Sequence, residues 1–248
     1  MMEEDSKRLL ILAAGQSSRM GSLGQKQFLE LQGLPIFLWS IKTALALSSS
    51  YCLTIVLVHS VGDREKYKDS LIKNLDSSSL PSISLVEGGA SRSQSVYNGL
   101  QSISHDAEPN DSIIIHDSAR PFLGVQDLLK VIDSLKHYSA VTLSYPVTNT
   151  IKLLKADTQE IQAHLKRDDL RAILTPQGFR FSVLWKAYRE FIRSPYPVTD
   201  DTEIVAKMGH PIQCIDGKKS NIKITNPEDL LYAEFYCQKY NLKPSEKP

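Results

Sequence analysis

With 248 residues and a formal net charge of +1, the chain is long enough for one large α/β domain and lacks the bulk charge that would suit nucleic acid or an anionic membrane. Its three cysteines form no C-x-x-C pair and its six histidines show no metal-ligand spacing, which predicts buried thiols in a reducing compartment. No stretch approaches about 18 consecutive apolar residues, and the acidic N-terminus is unlike a signal peptide, so the sequence predicts a soluble cytoplasmic protein.

Apolar runs of strand length alternate with segments of helical spacing through the first part of the chain. The predicted strands are residues 9–14, 51–59, 82–87, 112–116 and 140–145. Pro35 is predicted to open one helix, and residues 63–75 and 125–138 are predicted amphipathic crossover helices. This alternation is typical of βαβ units, so we expect an α/β fold with a mostly parallel sheet flanked by helices.

The regular alternation ends at Pro146. Residues 147–170 alternate polar and apolar side chains around a turn near Lys155, which predicts a β-hairpin arm. Because an isolated hairpin is marginally stable in water, we expect this arm to pack against a second subunit. The elements predicted beyond it are a Thr-Pro turn in residues 174–179, helices at 181–192 and 201–208, a strand pair at 212–216 and 221–224, and a helix at 227–240. Residues 1–248 are predicted to form a single domain with an arm.

The first predicted strand ends in Ala13, Ala14 and Gly15 and continues into a polar loop that carries Arg19 and Lys26. Small residues at the carboxyl edge of a parallel sheet let a phosphate approach backbone N–H groups closely. The guanidinium fork and the ammonium supply two kinds of positive charge. The loop matches neither the P-loop nor the dinucleotide fingerprint. The residues alone therefore leave two interpretations, a phosphate site or an ordinary βα loop with two solvated cations.

Two glycines, Gly88 and Gly89, end the third predicted strand. A Gly-Gly turn at this edge of the sheet lets main-chain groups contact the edge of a flat base. The alternative is a plain turn followed by a helix that Ser91 or Ser93 caps.

Another predicted strand ends at His116 and Asp117, with Arg120 just beyond it. A carboxylate at such a strand end commonly holds a divalent metal or a ribose hydroxyl; the alternative is an ion pair with Arg120 or a capped turn. We interpret His116 as structural.

Lys223 lies beside a helix N-terminus that Asn226 is predicted to cap, where a visiting anion would explain the extra cation. The alternative is a surface lysine.

Acidic residues cluster between positions 198 and 205. A capping box with Asp200 at the N-cap and Glu203 at N3 explains them better than a metal site does. Thr199, just before the box, is a candidate ligand contact.

Eight motifs, in order over about residues 8–240, are LILAAGQSSRMG, KQF, GGASRSQSV, HDSARP, PVTNTIK, LTPQ, TDD and NIKITNPEDL. Together they resemble the 2-C-methyl-D-erythritol 4-phosphate cytidylyltransferase family. The resemblance implies a Rossmann-like nucleotidyltransferase fold and a homodimer in which a β-arm reaches the partner's active site.

The resemblance also implies the reaction: CTP and 2-C-methyl-D-erythritol 4-phosphate give the CDP-linked alditol and pyrophosphate, for isoprenoid precursor synthesis by the non-mevalonate route. Mg²⁺ is the implied cofactor, held by Asp117. Arg19, Lys26 and Lys223 are the implied catalytic residues. The implied nucleotide contacts are Ala13, Ala14, Gly15, Gly88, Gly89, Ser95 and Asp117, and the implied sugar-phosphate contacts are Arg120, Thr150, Arg167 and Thr199.

Three positions depart from the family pattern. Gln25 stands where proline is usual, which predicts a less rigid loop; Ala90 stands where an acidic residue is commoner; and Asn149 stands where aspartate is usual. Two other functions stay open. One is a ribitol-5-phosphate cytidylyltransferase, which Ala119 and the Ala-Ala-Gly at 13–15 disfavour. The other is a catalytically silent nucleotide-binding protein on the same fold, which the complete set of cations disfavours.

Overall fold

The computed structural model describes residues 6–15, 17–48, 51 and 53–243. The strands are β1 (Lys7–Leu12), β2 (Glu30–Leu31), β3 (Leu34–Pro35), β4 (Leu53–His59), β5 (Ile83–Glu87), β6 (Ser112–Asp117), β7 (Ala140–Pro146), β8 (Lys152–Leu154), β9 (Ile161–His164), β10 (Arg171–Arg180) and β11 (Gln213–Asp216). The helices are α1 (Ile36–Ser48), α2 (Arg64–Asn74), α3 (Arg92–Ile103), α4 (Val125–Ser134), α5 (Phe181–Arg193), α6 (Asp201–Lys207) and α7 (Pro227–Tyr240). Pro35 ends β3, so α1 begins one residue later than predicted.

Seven of the described strands form one sheet in the order β11-β7-β10-β6-β1-β4-β5. Neighbouring strands are parallel except around β10, which runs antiparallel to both β6 and β7. The predicted α/β fold with a mostly parallel sheet is therefore confirmed. The four parallel strands β6, β1, β4 and β5 end at the same edge, where the loops that follow them meet.

The sheet is covered on both faces, which explains the nearly continuous apolar runs in its central strands. In β1, Leu9 and Ile11 pack into one hydrophobic cluster with helices α1 and α4, whereas Leu10 and Leu12 pack into a second cluster with α3 and α5. Successive side chains point to opposite faces, so one fully buried strand contributes to both clusters.

The arm forms the predicted hairpin. Strands β8 and β9 pair antiparallel, with Lys152 opposite His164, and belong to a separate two-stranded sheet. The arm's large apolar side chains are well exposed, as are some on α7 such as Leu231 and Phe235; the values for the arm are Ile151 40%, Leu153 48%, Leu154 46%, Ile161 51% and Leu165 38%.

The prediction of a Thr-Pro turn at residues 174–179 was wrong. These residues lie inside β10, in the interior of the large sheet. Pro176 has no N–H to donate to a ladder, and the register of β10 against β7 shifts between Ile173 and Gln177, which accommodates it. A proline in a sequence that otherwise allows a strand thus produced a bulge rather than a turn.

The predicted strand at residues 221–224 is also wrong, although its proposed partner exists as β11. The backbone N–H of Ile224 donates to the carbonyl of Ala119 at 2.8 Å, and the Asn221 side chain donates to the carbonyl of Thr175 at 2.8 Å. The Ala119 carbonyl lies in the loop after β6, and the Thr175 carbonyl is reached by a side chain, so residues 221–224 pair with no strand in the part of the chain that the structure describes. Strand β11 pairs with β7 in parallel.

The cysteines fit the prediction in part. Cys237 is buried, but Cys214 is exposed, so buried thiols were predicted wrongly at that position. Cys52 lies outside the described residues. Within the described ranges, no helix combines the length and apolar character needed to cross a membrane.

Candidate active-site cleft

A cleft of about 670 Å³ lies at the carboxyl edge of the parallel strands. The loops after β1, β4, β5 and β6 line it, together with the segment before α7. The predicted site residues that line the cleft are Ala14, Gly15, Arg19, Lys26, Gly89, Ser95, Asp117 and Lys223. Residues from both ends of the sequence thus meet at one place, as parallel topology predicts.

The loop after β1 is held from beneath by buried polar side chains. The Gln27 side-chain amide donates to the carbonyls of Ala13 and Gly15, both at 2.6 Å, and the Tyr67 hydroxyl donates to the Ala13 carbonyl at 2.8 Å. The Ser17 hydroxyl oxygen accepts from the N–H of Lys26 at 3.1 Å. These bonds fix the backbone that carries Arg19 and Lys26. The role of Gln27 was missed in the sequence, where its only signal was its place in the KQF motif.

The three small residues of the predicted phosphate site lie in different environments. Ala13 is buried and its N–H donates to the carbonyl of Val58 at 2.8 Å, so this group belongs to the sheet. Ala14 and Gly15 line the cleft, and Gly15 is exposed. Arg19 is also exposed and lines the same wall.

Lys26 lies where positive charge is disfavoured before an anion arrives. Its Nζ donates to the carbonyl of Ile224 at 3.0 Å. Burial, followed by repulsion from the Lys223 ammonium, lowers the pKa of Lys26 to about 8. An anion bound between these two lysines would remove that repulsion, so the pair favours a strongly charged ligand.

Gln25 does not leave the loop loose. Its side chain donates to Asp63 Oδ2 at 2.7 Å and accepts from Lys66 Nζ at 2.5 Å, and Lys66 lies over the Phe28 ring at 3.9 Å from its centroid. The loop is therefore tied to the start of α2 by side chains where a proline would have restrained the backbone.

The turn after β5 needs glycine at both positions. A Cβ at Gly88 would lie 2.6 Å from the Cβ of Ala14, and a Cβ at Gly89 would overlap the Gln94 side chain. Ser91 caps α3 by accepting from the N–H of Gln94 at 3.1 Å, which settles the choice between Ser91 and Ser93. The Ser95 hydroxyl accepts from the N–H of Gly89 at 3.0 Å, so it supports the turn.

Asp117 lies between two cations. Its Oδ2 is 2.7 Å from Lys223 Nζ and its Oδ1 is 3.3 Å from Arg92 Nε, whereas Arg120 Nε is 4.0 Å away. Burial alone would raise the pKa of this carboxyl, but the Arg92 and Lys223 charges outweigh it and hold the pKa well below its usual range. Asp117 is therefore a carboxylate throughout the physiological pH range.

His116 is structural, as predicted. Burial lowers its pKa to about 4, so the ring is neutral at neutral pH. Its Nε2 faces the Arg120 carbonyl at 3.1 Å, which can only accept, so Nδ1 must accept from the Thr175 hydroxyl at 3.0 Å. The Thr175 oxygen in turn accepts from the N–H of Asp117 at 3.1 Å. This chain of bonds fixes the backbone of Asp117.

The four predicted sugar-phosphate residues are not among the described residues that line the cleft. Arg120 donates through Nη1 to the Asn221 carbonyl at 2.8 Å, and burial lowers its pKa. Thr199 donates through both its N–H and its hydroxyl to Glu203, at 2.9 and 3.1 Å, and so is engaged in capping α6. Thr150 and Arg167 are exposed on the arm, 3.4 Å apart through Oγ1 and Nη2.

The predicted capping interactions are present in modified form. Asp200 accepts from the N–H of Glu203 at 3.1 Å, as predicted, but the Glu203 carboxylate returns to Thr199 rather than to Asp200. Asn226 and Asp229 form a complete capping box at the start of α7.

Arg92 is a cleft residue that the sequence analysis missed. It begins α3, lines the cleft, and reaches both Asp117 and the fully buried Asp201. Its only sequence signal was an arginine at the first helical position, where a cation is unfavourable to the helix dipole and thus needs another partner.

The charged side chains of the cleft determine which ligands fit it: the cations suit a polyanion, and a metal ion would depend on the carboxylates. Across the described ranges, no group of three or more His, Cys, Asp or Glu side chains is placed to bind a metal ion. The carboxylates that line the cleft are Asp117 and Asp63, and Asp63 is engaged by Gln25. Mg²⁺ is commonly bound through one or two carboxylates together with substrate phosphates, so the donor set at Asp117 fits it.

The chain is similar over most of its length to one family of proteins. The sequence profile of that family, IspD, 2-C-methyl-D-erythritol 4-phosphate cytidylyltransferase, matches residues 8–239. A relative with this name from Alkaliphilus oremlandii is 37% identical over 94% of this chain and 96% of its own length. One from Pelotomaculum thermopropionicum is 35% identical over 93% of both chains.

Solved structures agree with this similarity. A 4-diphosphocytidyl-2C-methyl-D-erythritol synthase from Anaerococcus prevotii superposes with a TM-score of 0.77 at 27% identity, covering 94% of this chain and 99% of that one. The 2-C-methyl-D-erythritol 4-phosphate cytidylyltransferase from Thermus thermophilus gives a TM-score of 0.71 at 25% identity, covering 95% and 99%. The likeness therefore extends over the whole fold.

Proposed function

This chain belongs to the 2-C-methyl-D-erythritol 4-phosphate cytidylyltransferase family, and we propose which of its residues carry out the family's reaction. It is a nucleotidyltransferase that joins CTP to 2-C-methyl-D-erythritol 4-phosphate in the isoprenoid pathway. The observation that carries the residue assignment is the convergence of Arg19, Lys26 and Lys223 on one cleft.

The substrate phosphate needs no general base. A phosphate monoester has a second pKa of about 6 and is mostly dianionic at neutral pH. The difficulty is to bring this dianion to the α-phosphorus of another polyanion, where charge develops on the leaving pyrophosphate. Arg19 and Lys26 are proposed to hold the triphosphate and the leaving group, and Lys223 the α-phosphate. Positioning and charge stabilisation then supply most of the catalysis.

Mg²⁺ is proposed as the cofactor, with Asp117 as its protein ligand. A bound Mg²⁺ would withdraw negative charge from the phosphate oxygens. The ionised state of Asp117 and its position at the floor of the cleft support this assignment. Gly88, Gly89 and Ser95 form a fixed turn beside Ala14, which supports their proposed role in holding the nucleoside.

The sugar phosphate is proposed to be bound by Thr150 and Arg167 of a second copy of the chain in a homodimer. Both residues are exposed on the arm, and the arm's apolar side chains are 38–51% exposed. An exposed apolar patch on a hairpin that is marginally stable alone is typical of an interface. Arg120 and Thr199 are proposed to contact the same substrate; in the structure Arg120 donates through Nη1 to the Asn221 carbonyl, and the Thr199 hydroxyl donates to Glu203.

The cytoplasm is proposed as the compartment, on the basis of two free thiols among the described residues. The extent of the single domain stays a prediction.

The experiment that tests the function is pyrophosphate release from CTP and Mg²⁺, with methylerythritol 4-phosphate and ribitol 5-phosphate supplied in parallel. We expect release with the methylerythritol substrate. Release with ribitol 5-phosphate alone would keep the triphosphate chemistry and overturn the substrate. Nucleotide binding without release from either would favour the silent binding protein.

A further inference from the structure

A chain of buried polar side chains runs from the interior of the second hydrophobic cluster to the cleft. It begins at Tyr188 on α5, which is fully buried and donates through its hydroxyl to Asp201 Oδ1 at 2.5 Å. Asp201, also fully buried, is the first residue of α6. Neither residue lines the cleft within the described part of the chain, so neither is placed to touch a substrate.

Arg92 connects this buried pair to the cleft. Its two terminal nitrogens bind both oxygens of Asp201, Nη1 to Oδ1 at 2.9 Å and Nη2 to Oδ2 at 2.8 Å. This bidentate geometry fixes the plane of the guanidinium. The remaining nitrogen, Nε, then points to Asp117 Oδ1 at 3.3 Å.

Asp117 is consequently held on each oxygen by a different cation. Arg92 takes Oδ1, and Lys223 takes Oδ2 at 2.7 Å. An ammonium has three N–H donors, so a lysine bound to one carboxylate oxygen keeps others for a phosphate. If Oδ1 were free, the carboxylate could turn both oxygens toward Lys223 and neutralise it.

We propose that Arg92 is a positioning residue that occupies one oxygen of Asp117 and so restricts Lys223 to the other. The inference rests on the proposed function, in which Lys223 acts at the α-phosphate. Asp201 and Tyr188 serve this role by fixing the orientation of Arg92. The proposed effect on catalysis passes through Asp117 and Lys223, because three of the five N–H donors of Arg92 are bound to Asp201 and Asp117.

A contribution to folding stability does not by itself explain why Tyr188, Asp201 and Arg92 form this buried polar network. Replacing a buried ion pair by well-packed apolar side chains is often neutral or stabilising. Orientation requires the guanidinium itself, because its rigid planar fork binds both oxygens of one carboxylate and thereby fixes the direction of Nε, whereas the ammonium of lysine has no such rigid fork. The two explanations therefore differ in what Arg92→Lys does to turnover.

The test compares Arg92→Lys with Arg8→Lys in the cytidylyl transfer assay. Arg8 is a matched control, because it is also largely buried and binds two aspartates, Asp106 at 2.9 Å and Asp111 at 3.4 Å, at the end of β1 away from the cleft. We expect Arg92→Lys to lower kcat by about 10- to 100-fold with the KM for CTP nearly unchanged. Arg8→Lys should lower the melting temperature and leave kcat unchanged.

Equal kcat values for Arg92→Lys and wild type would overturn the proposal, as would a raised KM for CTP with kcat intact. Should Arg92→Lys fail to fold, Tyr188→Phe replaces it, since it removes one hydroxyl and keeps the ring. We expect Tyr188→Phe to lower kcat by less than Arg92→Lys would, with the KM for CTP unchanged. A lower melting temperature with wild-type kcat in Tyr188→Phe would contradict the positioning role.

A second readout separates this inference from the proposed function. The ¹⁵N resonance of the Lys223 ammonium can be assigned as the signal that disappears in Lys223→Arg. This resonance should shift in Arg92→Lys or Tyr188→Phe, because the ion pair between Lys223 and Asp117 changes. An unchanged resonance overturns the inference whether or not the wild type turns over. A silent wild type with a shifted resonance would overturn the function and keep the positioning contact.

Discussion

The cleft and the arm hold their functional side chains in opposite ways. Asp117, Lys26 and Lys223 are tied by buried or half-buried partners within the same chain, at 2.7–3.0 Å. Thr150 and Arg167 are exposed, and their one contact across the arm is 3.4 Å long. The cleft is thus preorganised by its own chain, whereas the proposed role of the arm depends on a second copy of the chain.

This difference suggests a division of labour between the two substrates. A triphosphate meets fixed charges, which lowers the reorganisation required when charge develops in the transition state. In the proposed homodimer, the sugar phosphate meets exposed arm residues that a second copy of the chain presents. The predictions below test that division, from the largest expected effect to the smallest.

Removing a cation of the cleft should have the largest effect. Lys223→Ala and Arg19→Ala are each expected to lower kcat by about 10²- to 10³-fold, because a preorganised charge that faces the transition state is lost. Steady-state kinetics measures this, with circular dichroism to confirm the fold. Near-normal turnover in either variant would show that the substituted residue does not have the catalytic role proposed for it.

Arg167→Ala should affect one substrate only. Loss of a hydrogen bond to a charged group of about 1.5–3 kcal/mol is expected to raise the KM for the sugar phosphate by roughly 10- to 100-fold, while CTP binding is kept. Lys166→Ala is the matched control, since Lys166 is the adjacent exposed cation and pairs with Asp169 at 3.4 Å. Weakened CTP binding with normal sugar-phosphate affinity would contradict the assignment.

Gln27→Leu tests whether the cleft is preorganised from beneath. The substitution leaves the carbonyls of Ala13 and Gly15 without the amide that now binds them, so the free energy of unfolding should fall by about 1–3 kcal/mol. The KM for CTP should rise, and chemical denaturation and kinetics measure the two effects. An unchanged KM in a destabilised variant would show that the loop does not need this support.

The pKa of Lys26 predicts a proton linked to nucleotide binding. Burial lowers it to about 8, and the triphosphate should restore the charged form, so CTP binding takes up a proton above pH 8 and weakens as pH rises. Calorimetry at pH 8.5 in buffers of different ionisation enthalpy measures the uptake. Proton uptake that persists in Lys26→Arg would assign it to another group.

The same pKa fixes the sign of a smaller effect on stability. The unfolded chain keeps the lysine proton up to about pH 10.5, whereas the folded chain releases it near pH 8. The free energy of unfolding should therefore rise between these two values in wild type relative to Lys26→Met. A difference that stays constant across this range would contradict the lowered pKa.

Sequence patterns predicted the elements whose signals are local. The buried run of β6, the Asn226 cap and the arm hairpin were all identified, because apolar periodicity and capping chemistry act over a few residues. Strand β10 was missed because Pro176 indicates a turn unless the bulge opposite β7 is known. The segment around Lys223 was assigned wrongly because its partners, the carbonyls of Ala119 and Thr175, are distant in sequence.

The sequence analysis predicted the charged residues of the site and missed the residues that hold them in place. Lys26 and Asp117 follow strand ends, where a parallel fold places ligand contacts. Arg92 and Gln27 act through Asp201 and the Ala13 carbonyl, contacts of long sequence separation that no local pattern carries. The supporting roles of Arg92 and Gln27 therefore became visible only in the folded structure.

The most direct test of the division between cleft and arm is subunit complementation. Lys223→Ala disables the cleft and Arg167→Ala weakens sugar-phosphate binding by the arm, so each homodimer alone should be nearly inactive when the sugar phosphate is kept well below the wild-type KM. If the arm serves the partner's cleft, a heterodimer keeps one complete site, and an equal mixture after subunit exchange should recover about a quarter of wild-type activity. A mixture no more active than its two parents would show that each arm serves its own cleft, and would contradict the proposed homodimer site.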